Sequence, residues 1–433
     1  MLNKTLLGTA AVLLTVVGAQ AADLPSKKAA PATYVKICDA YGAGFFFIPG
    51  TDTCMKVGGY VRVDYDYRPE RKSTTYATAT TATAANAIDQ TTSGFYNRGT
   101  VQLDARTPTS MGVARTFMAL RMETGAGVLG KASTSPSLEG AFVQWAGFTF
   151  GQAPQPAAFM SSWAYNTHYW GGWPNGVRQL TYTAVLGGGF SATAGVTDMG
   201  NYAAVATAPA SPQATIHAPD YNGIVYVGNV RYDQSWGAVQ VFGAAHSGGN
   251  LTGGTQNAAG TVAGGTTESG YAIGIGASFK LPMLAAGDEI QLTFAYNDRL
   301  QNIIGDAGVN TPSSAAYGSN PVGGPTVDFA NGTGWVAGAQ LRHYWTSNFR
   351  SQFYASYTSR DQHVVVGGSG NALSLGKAFI YSPARDFDIG LEVNYIRANW
   401  DQASLRTVNN WGGRTGDLTE SNVVTKLRVQ RNF

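Results

Sequence analysis

Apolar and polar residues alternate with period two through most of the chain. At the C-terminus, Val423, Thr425, Leu427, Val429 and Phe433 fall on one face, and Lys426, Arg428, Gln430 and Asn432 on the other. Further upstream, Ile389, Leu391 and Val393 oppose Asp388, Glu392 and Asn394, and Ile290, Leu292, Phe294 and Tyr296 oppose Gln291, Thr293 and Asn297. Near the start, Val57, Val61, Val63 and Tyr65 oppose Tyr60, Arg62, Asp64 and Asp66. Successive side chains of a strand point to opposite faces, so this is strand periodicity.

The pattern predicts strands over 56–67, 95–107, 113–123, 139–146, 148–152, 178–186, 189–198 and 222–233. It continues over 237–247, 269–281, 288–299, 334–346, 349–359, 374–382, 386–399 and 421–433. The connections alternate between short and long. Pro108 to Gly112, Gly187-Gly188, Ser235-Trp236, Ser347-Asn348 and Pro383 to Arg385 are short; Arg68 to Gly94, Met199 to Tyr221, Gly248 to Glu268, Leu300 to Thr333 and Asp401 to Glu420 are long. A soluble sandwich has no reason to keep its long loops at one end of every strand pair. A transmembrane barrel with tight turns on one side and long loops on the other does.

The fold expected is therefore all-β: a 16-stranded antiparallel transmembrane β-barrel. Closing the sheet leaves no unpaired edge, which hydrocarbon demands. Aromatics gather near strand ends (Tyr65, Tyr67, Trp145, Tyr232, Trp236, Trp335, Trp345, Trp400 and Phe433), the pattern of two interfacial belts. Arg62, Arg106, Arg121, Arg231, Arg342, Arg350, Lys426 and Arg428 fall on the polar faces and so point inward. Sixteen strands leave a lumen too wide for side chains to fill, so it holds water.

Composition agrees with this class. The chain has 55 glycines, 19 phenylalanines, 22 tyrosines and only 13% charged residues, with a mean hydropathy of −0.10. Only alternate residues of a barrel meet lipid, so its average hydropathy stays near that of a soluble protein. The formal charge of +3 is scattered along the chain and gives no footprint for nucleic acid. At the N-terminus, Lys4, the apolar run Leu6 to Val17 and Ala19-Gln20-Ala21 read as a secretory signal over 1–21. A leader over 22–37 and a barrel domain over 38–433 complete the expected division. In an exported chain Cys38 and Cys54 read as one disulfide, with two free thiols as the alternative. No further Cys or His set completes a metal site, and no cofactor is expected.

One long connection differs from the rest. Residues 152–177 carry Phe159, Trp163, Tyr165, Tyr169, Trp170 and Trp173, and from Gly140 to Val177 His168 is the sole residue of basic or acidic type. So apolar a loop is expected to fold into the barrel as a constriction. The alternative is that it packs on a neighbouring subunit.

The run from Cys38 to Tyr65, CDAYGAGFFFIPGTDTCMKVGGYVRVDY, resembles the N-terminal signature of the alphaproteobacterial general-diffusion porins. ADLP after the cleavage site, AGFTFG over Ala146 to Gly151 and RVQRNF over Arg428 to Phe433 are similar to the same family. The resemblance implies a 16-stranded barrel in the Gram-negative outer membrane, homotrimers, an inward-folded third loop and a Cys38–Cys54 disulfide. It also implies that Phe433 serves as an assembly signal. Expected partners are outer-membrane lipid, lipopolysaccharide, and small hydrophilic solutes and ions that diffuse passively. Porins of this type set acidic residues of the loop against a basic wall, yet this loop has no carboxylate. The expected pore-lining basic residues are Arg62, Arg98, Arg106, Arg115, Arg121, Arg342, Arg350 and Arg428. The expected acidic ones are Asp64, Asp66, Asp104 and Glu123, and the selectivity expected is weak and tilted toward anions.

No enzyme is expected. G-x-S-x-G, H-E-x-x-H and Walker patterns are missing from the sequence, and the five histidines are isolated, with His246-Ser247 the nearest hint of a hydrolase. A substrate-selective channel with an aromatic stacking track for sugars is the main alternative, followed by an envelope scaffold with a closed pore.

Overall fold

The computed structural model describes residues 36–69, 71–72, 76–78, 81–85, 88–89, 92–125, 136–159, 163, 165, 176–198, 224–252, 255–256, 262–263, 266–300, 332–362, 370–400, 414–415 and 418–433. Among them, sixteen strands form one closed antiparallel barrel. These are β1 (Cys54–Arg68), β2 (Thr92–Thr109), β3 (Gly112–Gly125), β4 (Ser137–Trp145), β5 (Phe148–Ala153) and β6 (Val177–Gly187). Next come β7 (Phe190–Asp198), β8 (Ile224–Gln234), β9 (Gly237–Thr252), β10 (Thr266–Lys280) and β11 (Glu289–Asp298). The last are β12 (Gly332–Thr346), β13 (Phe349–Gln362), β14 (Gly370–Ala384), β15 (Phe387–Trp400) and β16 (Leu418–Asn432).

Each strand pairs with its sequence neighbours, and β1 closes the ring by pairing β2 on one edge and β16 on the other. Tyr60 to Tyr67 run opposite Asn432 to Thr425. All sixteen expected strands are present, including the short fifth. Two turns sit one or two residues later than the sequence suggested. Gly187 still pairs with Phe190, so that turn is 188–189; Ala384 pairs with Phe387, so the other is 385–386. The closing contact is tight. Gly59 and Phe433 exchange backbone hydrogen bonds of 3.1 and 3.0 Å, and a Cβ at Gly59 would come within 2.1 Å of the Thr100 carbonyl oxygen.

The two faces differ as a membrane barrel requires. Val61, Val63, Leu292, Phe294, Leu391, Val393 and Leu427 are exposed on the outer face, whereas Asp64, Asp66, Asn297, Glu392, Asn394 and Lys426 are buried on the inner one. No helix among the described residues is long and apolar enough to cross a membrane. Outward-facing rings meet in two belts. Toward the short turns, Phe190 stacks on Tyr232, Tyr232 meets Trp236, Trp236 stacks on Phe279, and Phe349 on Phe379. Toward the long loops, Tyr65 meets Phe95, Tyr271 meets Tyr296, and Trp335 meets Tyr357. The side chain of Trp400 lies outside the described residues. Away from the strand ends, Lys377 breaks the outer pattern among the described residues, sharing its face with Leu375 and Phe379. A lysine facing lipid at mid-depth costs about 2–4 kcal/mol.

Before β1, the chain folds into a small knob. The short strand Phe46–Phe47 pairs with Met55 and Cys54. Cys38 and Cys54 form the disulfide, buried with Phe45 in one apolar cluster. The Arg106 guanidinium lies 4.9 Å over the Phe45 ring and 5.7 Å from that of Tyr41, which fixes the knob against the inner face of β2. The signal segment expected over 1–21 and most of the 22–37 leader lie outside the described residues.

Candidate pore constriction

The inner face of β1–β4 carries a dense charge array, and strand register sets it. Arg62 of β1 pairs directly with Arg98 of β2, and Arg98 with Glu123 of β3. Like charges set opposite each other are destabilising unless countered. Here Arg98 reaches Glu123 at 2.6 Å and Glu139 at 3.4 Å. Arg121 reaches the same two carboxylates, each at 3.2 Å. Asp64 is held by Arg428 at 2.7 Å and by Lys426 at 3.4 Å, and Lys426 also holds Asp66.

Arg62 is the under-compensated member. Its nearest carboxylate, Asp64, is 3.9 Å away and already bound by Arg428. The Arg62 Nε is buried without a hydrogen-bond partner among the described residues, and its guanidinium lies 5.6 Å from the Tyr60 ring.

Glu139 was missed by the sequence reading for a local reason. Ala119 pairs with Gly140 but Leu120 pairs with Leu138, so β4 bulges at Glu139. With Gly140 and Phe142 facing in, strict alternation would point Glu139 outward; the extra residue turns it inward between Arg98 and Arg121.

The expected basic residues do not form one group. Arg106 and Arg115 share Asp104 at 2.8 and 3.0 Å, nearer the short turns and beside the knob. Arg342 of β12 pairs with Glu289 of β11 at 3.0 Å, and Arg350 of β13 with Asp388 of β15 at 2.7 Å, on other stretches of the wall. Arg62, Arg98, Arg121 and Arg428 come together with Asp64, Asp66 and Glu123.

After β5 the chain runs along the inner face of the opposite wall. Asn229 and Gln240 donate to the Pro156 carbonyl at 2.6 and 3.1 Å. The Phe159 ring lies 5.1 Å from the Arg231 guanidinium and fills the space over Gly276. Trp163 donates its backbone N–H to Gln340 at 3.1 Å, and its ring lies 4.5 Å from the Arg342 guanidinium. Tyr165 donates its N–H to Glu392 Oε2 at 2.6 Å. Its ring lies over Gly390 and 4.2 Å from the Arg428 guanidinium. Thus each described aromatic of the segment sits on a wall arginine, and two occupy places that only glycine leaves open. Burial pushes the Tyr165 phenol above its ordinary pKa. His168, Tyr169, Trp170 and Trp173 lie outside the described residues.

Among the described residues no three His, Cys, Asp or Glu side chains gather to hold a metal ion. His246 hydrogen-bonds the Arg299 carbonyl at 3.0 Å. A closed barrel with an apolar outside, a charged inside and a chain segment laid along its inner wall is channel architecture. The profile of the family described as the porin subfamily matches residues 23–412. The chain belongs to that family. The porin is 30% identical over 251 residues to Porin Omp2b of Brucella suis and to that of Brucella abortus, matches covering 55% of this chain. Those matches span 64% of the relatives' length, under two thirds. The outer membrane channel DcaP of Acinetobacter baumannii superposes with a TM-score of 0.58 at 13% identity, covering 89% of the porin and 99% of that chain. OprB of Pseudomonas putida superposes with a TM-score of 0.51 at 9% identity, covering 88% and 94%. At these identities the likeness is one of fold. The porin is a protein of the Gram-negative outer membrane.

Proposed function

We propose that the porin is a non-enzymatic, water-filled pore for passive diffusion of small hydrophilic solutes and ions. The observation carrying this reading is the face-to-face arrangement inside the barrel. In the segment after β5, Pro156, Phe159, Trp163 and Tyr165 lie against strands between β8 and β16, leaving the charge array of β1–β4 as the facing wall. The narrow passage then runs between that segment, acting as an inward-folded third loop, and Arg62, Arg98 and Arg121. Among described side chains on the inner faces of β1–β4 and β16, Lys56, Arg62, Arg68, Arg98, Arg106, Arg115, Arg121, Lys426 and Arg428 outnumber Asp64, Asp66, Asp104, Glu123 and Glu139. Low-dielectric walls focus such an imbalance onto the lumen. The outcome is weak anion preference.

A sugar-stacking track is less well supported, because Phe159, Trp163 and Tyr165 each already give a face to a guanidinium. The assembly in this reading is a homotrimer in lipopolysaccharide-bearing membrane, exported by the signal over 1–21. Liposome swelling with uncharged solutes of graded size is the test. Swelling rates that fall smoothly with solute size, without saturation, are expected. Saturable uptake of one solute class, or no swelling from folded protein, would overturn the proposal.

A further inference from the structure

The outer surface of β11–β15 carries a cleft of about 530 Å³. Two rows of paired residues form it. One runs Ala339, Ala355, Leu375 and Tyr395; the next runs Ile290, Leu341, Phe353, Lys377 and Val393. The two alanines floor a trough between taller aliphatic and aromatic walls.

Lys377 is the cation in this lining. Its ammonium lies 4.7 Å from the Phe353 ring centre and 4.4 Å from that of Phe379. Among the described residues it has no carboxylate partner. Lys377 pairs with Phe353, four residues from Phe349 in the short-turn belt and four from Tyr357 in the long-loop belt. Phe379 is one step nearer the short turns, so the ammonium leans toward the periplasmic leaflet.

We propose that this cleft binds an anionic phospholipid of the periplasmic leaflet, with an acyl chain along the alanine floor and the phosphate on Lys377. A cation on a lipid-facing surface draws an anion to it. A second copy of the chain is poorly equipped to supply one. Among described strand side chains, the outward carboxylates are Asp198 and Asp298, each the last residue of its strand at the long-loop end. A companion cleft of about 520 Å³, lined by Ala194, Val196, Tyr226, Gly228, Ala245 and Ile273 among others, carries no charge. It is the internal reference for neutral lipid.

Native mass spectrometry of the full-length porin tests this, with phosphatidylglycerol, phosphatidylcholine or lipid A added in turn. Wild type should retain phosphatidylglycerol in preference to the other two. Lys377→Met should retain it about tenfold more weakly, as loss of one charge-assisted contact implies, and Lys377→Arg should restore it. Equal retention by wild type and Lys377→Met, or no preference for phosphatidylglycerol, would overturn the proposal. So would a change of oligomeric state in Lys377→Met with lipid retention unaltered, which would make the cleft a contact between copies. None of these readings depends on ion flow, so failure here leaves the pore proposal standing.

Discussion

Arg62 and Arg98 are cross-strand partners, two guanidiniums set directly opposite each other on the inner face of β1 and β2. Arg98 discharges onto Glu123 and Glu139, whereas Arg62 has only a distant, shared Asp64. One cation is thereby left under-compensated at the level where Tyr165 meets Arg428.

Replacing Arg62 by Ser should therefore lower anion preference without destabilising the barrel, since it also relieves repulsion against Arg98. The zero-current potential across a salt gradient is expected to move toward cation preference by about a factor of two in permeability ratio. Heat resistance of the folded band on a gel should be unchanged or raised. An unchanged potential would remove Arg62 from the passage.

Glu139→Gln should act with the opposite sign. It leaves Arg98 and Arg121 sharing Glu123 alone, so anion preference should rise. The same gradient measurement reads it, and a shift toward cations would show that the bulge does not aim Glu139 into the lumen.

Gly276 and Gly390 hold the inner segment by what they lack. A Cβ at Gly276 would lie 2.4 Å from the Phe159 ring, and one at Gly390 would lie 2.0 Å from the Tyr165 hydroxyl. Gly390→Val should displace Tyr165 and raise single-channel conductance, with far-ultraviolet circular dichroism unchanged. Unaltered conductance in a folded variant would mean that Tyr165 does not narrow the pore.

Gly59→Ala addresses barrel closure. Its Cβ would collide with the Thr100 carbonyl beside the Phe433 contact, so refolding yield should fall sharply and the folded band should melt at lower temperature. The Cys38–Cys54 bridge closes a short loop worth about 3 kcal/mol, so a Cys38→Ser/Cys54→Ser variant should loosen the knob. Earlier proteolysis between residues 38 and 54 is the expected readout.

The barrel was legible because lipid imposes one rule on every strand: outward residues are apolar, and alternation shows it. Strand number and the inward direction of Arg62, Arg98, Arg121 and Arg428 followed from that rule. What escaped lay where the rule is locally suspended. Glu139 changes face at a bulge, and nothing in its neighbours marks the extra residue. Lys377 sits on the outer face among apolar neighbours, against the rule. The pairing of Phe159, Trp163 and Tyr165 with Arg231, Arg342 and Arg428 joins residues distant in sequence, so only the closed barrel brings them together. The division of the arginines into separate groups is likewise a matter of depth and azimuth, which periodicity does not encode.

Single-channel recording in planar bilayers decides whether the barrel conducts. Purified porin should give large, ohmic current steps whose conductance scales with that of the bulk salt solution, with weak anion preference. Folded barrels that insert but pass no current would contradict it, because the inner segment would then seal the lumen rather than narrow it.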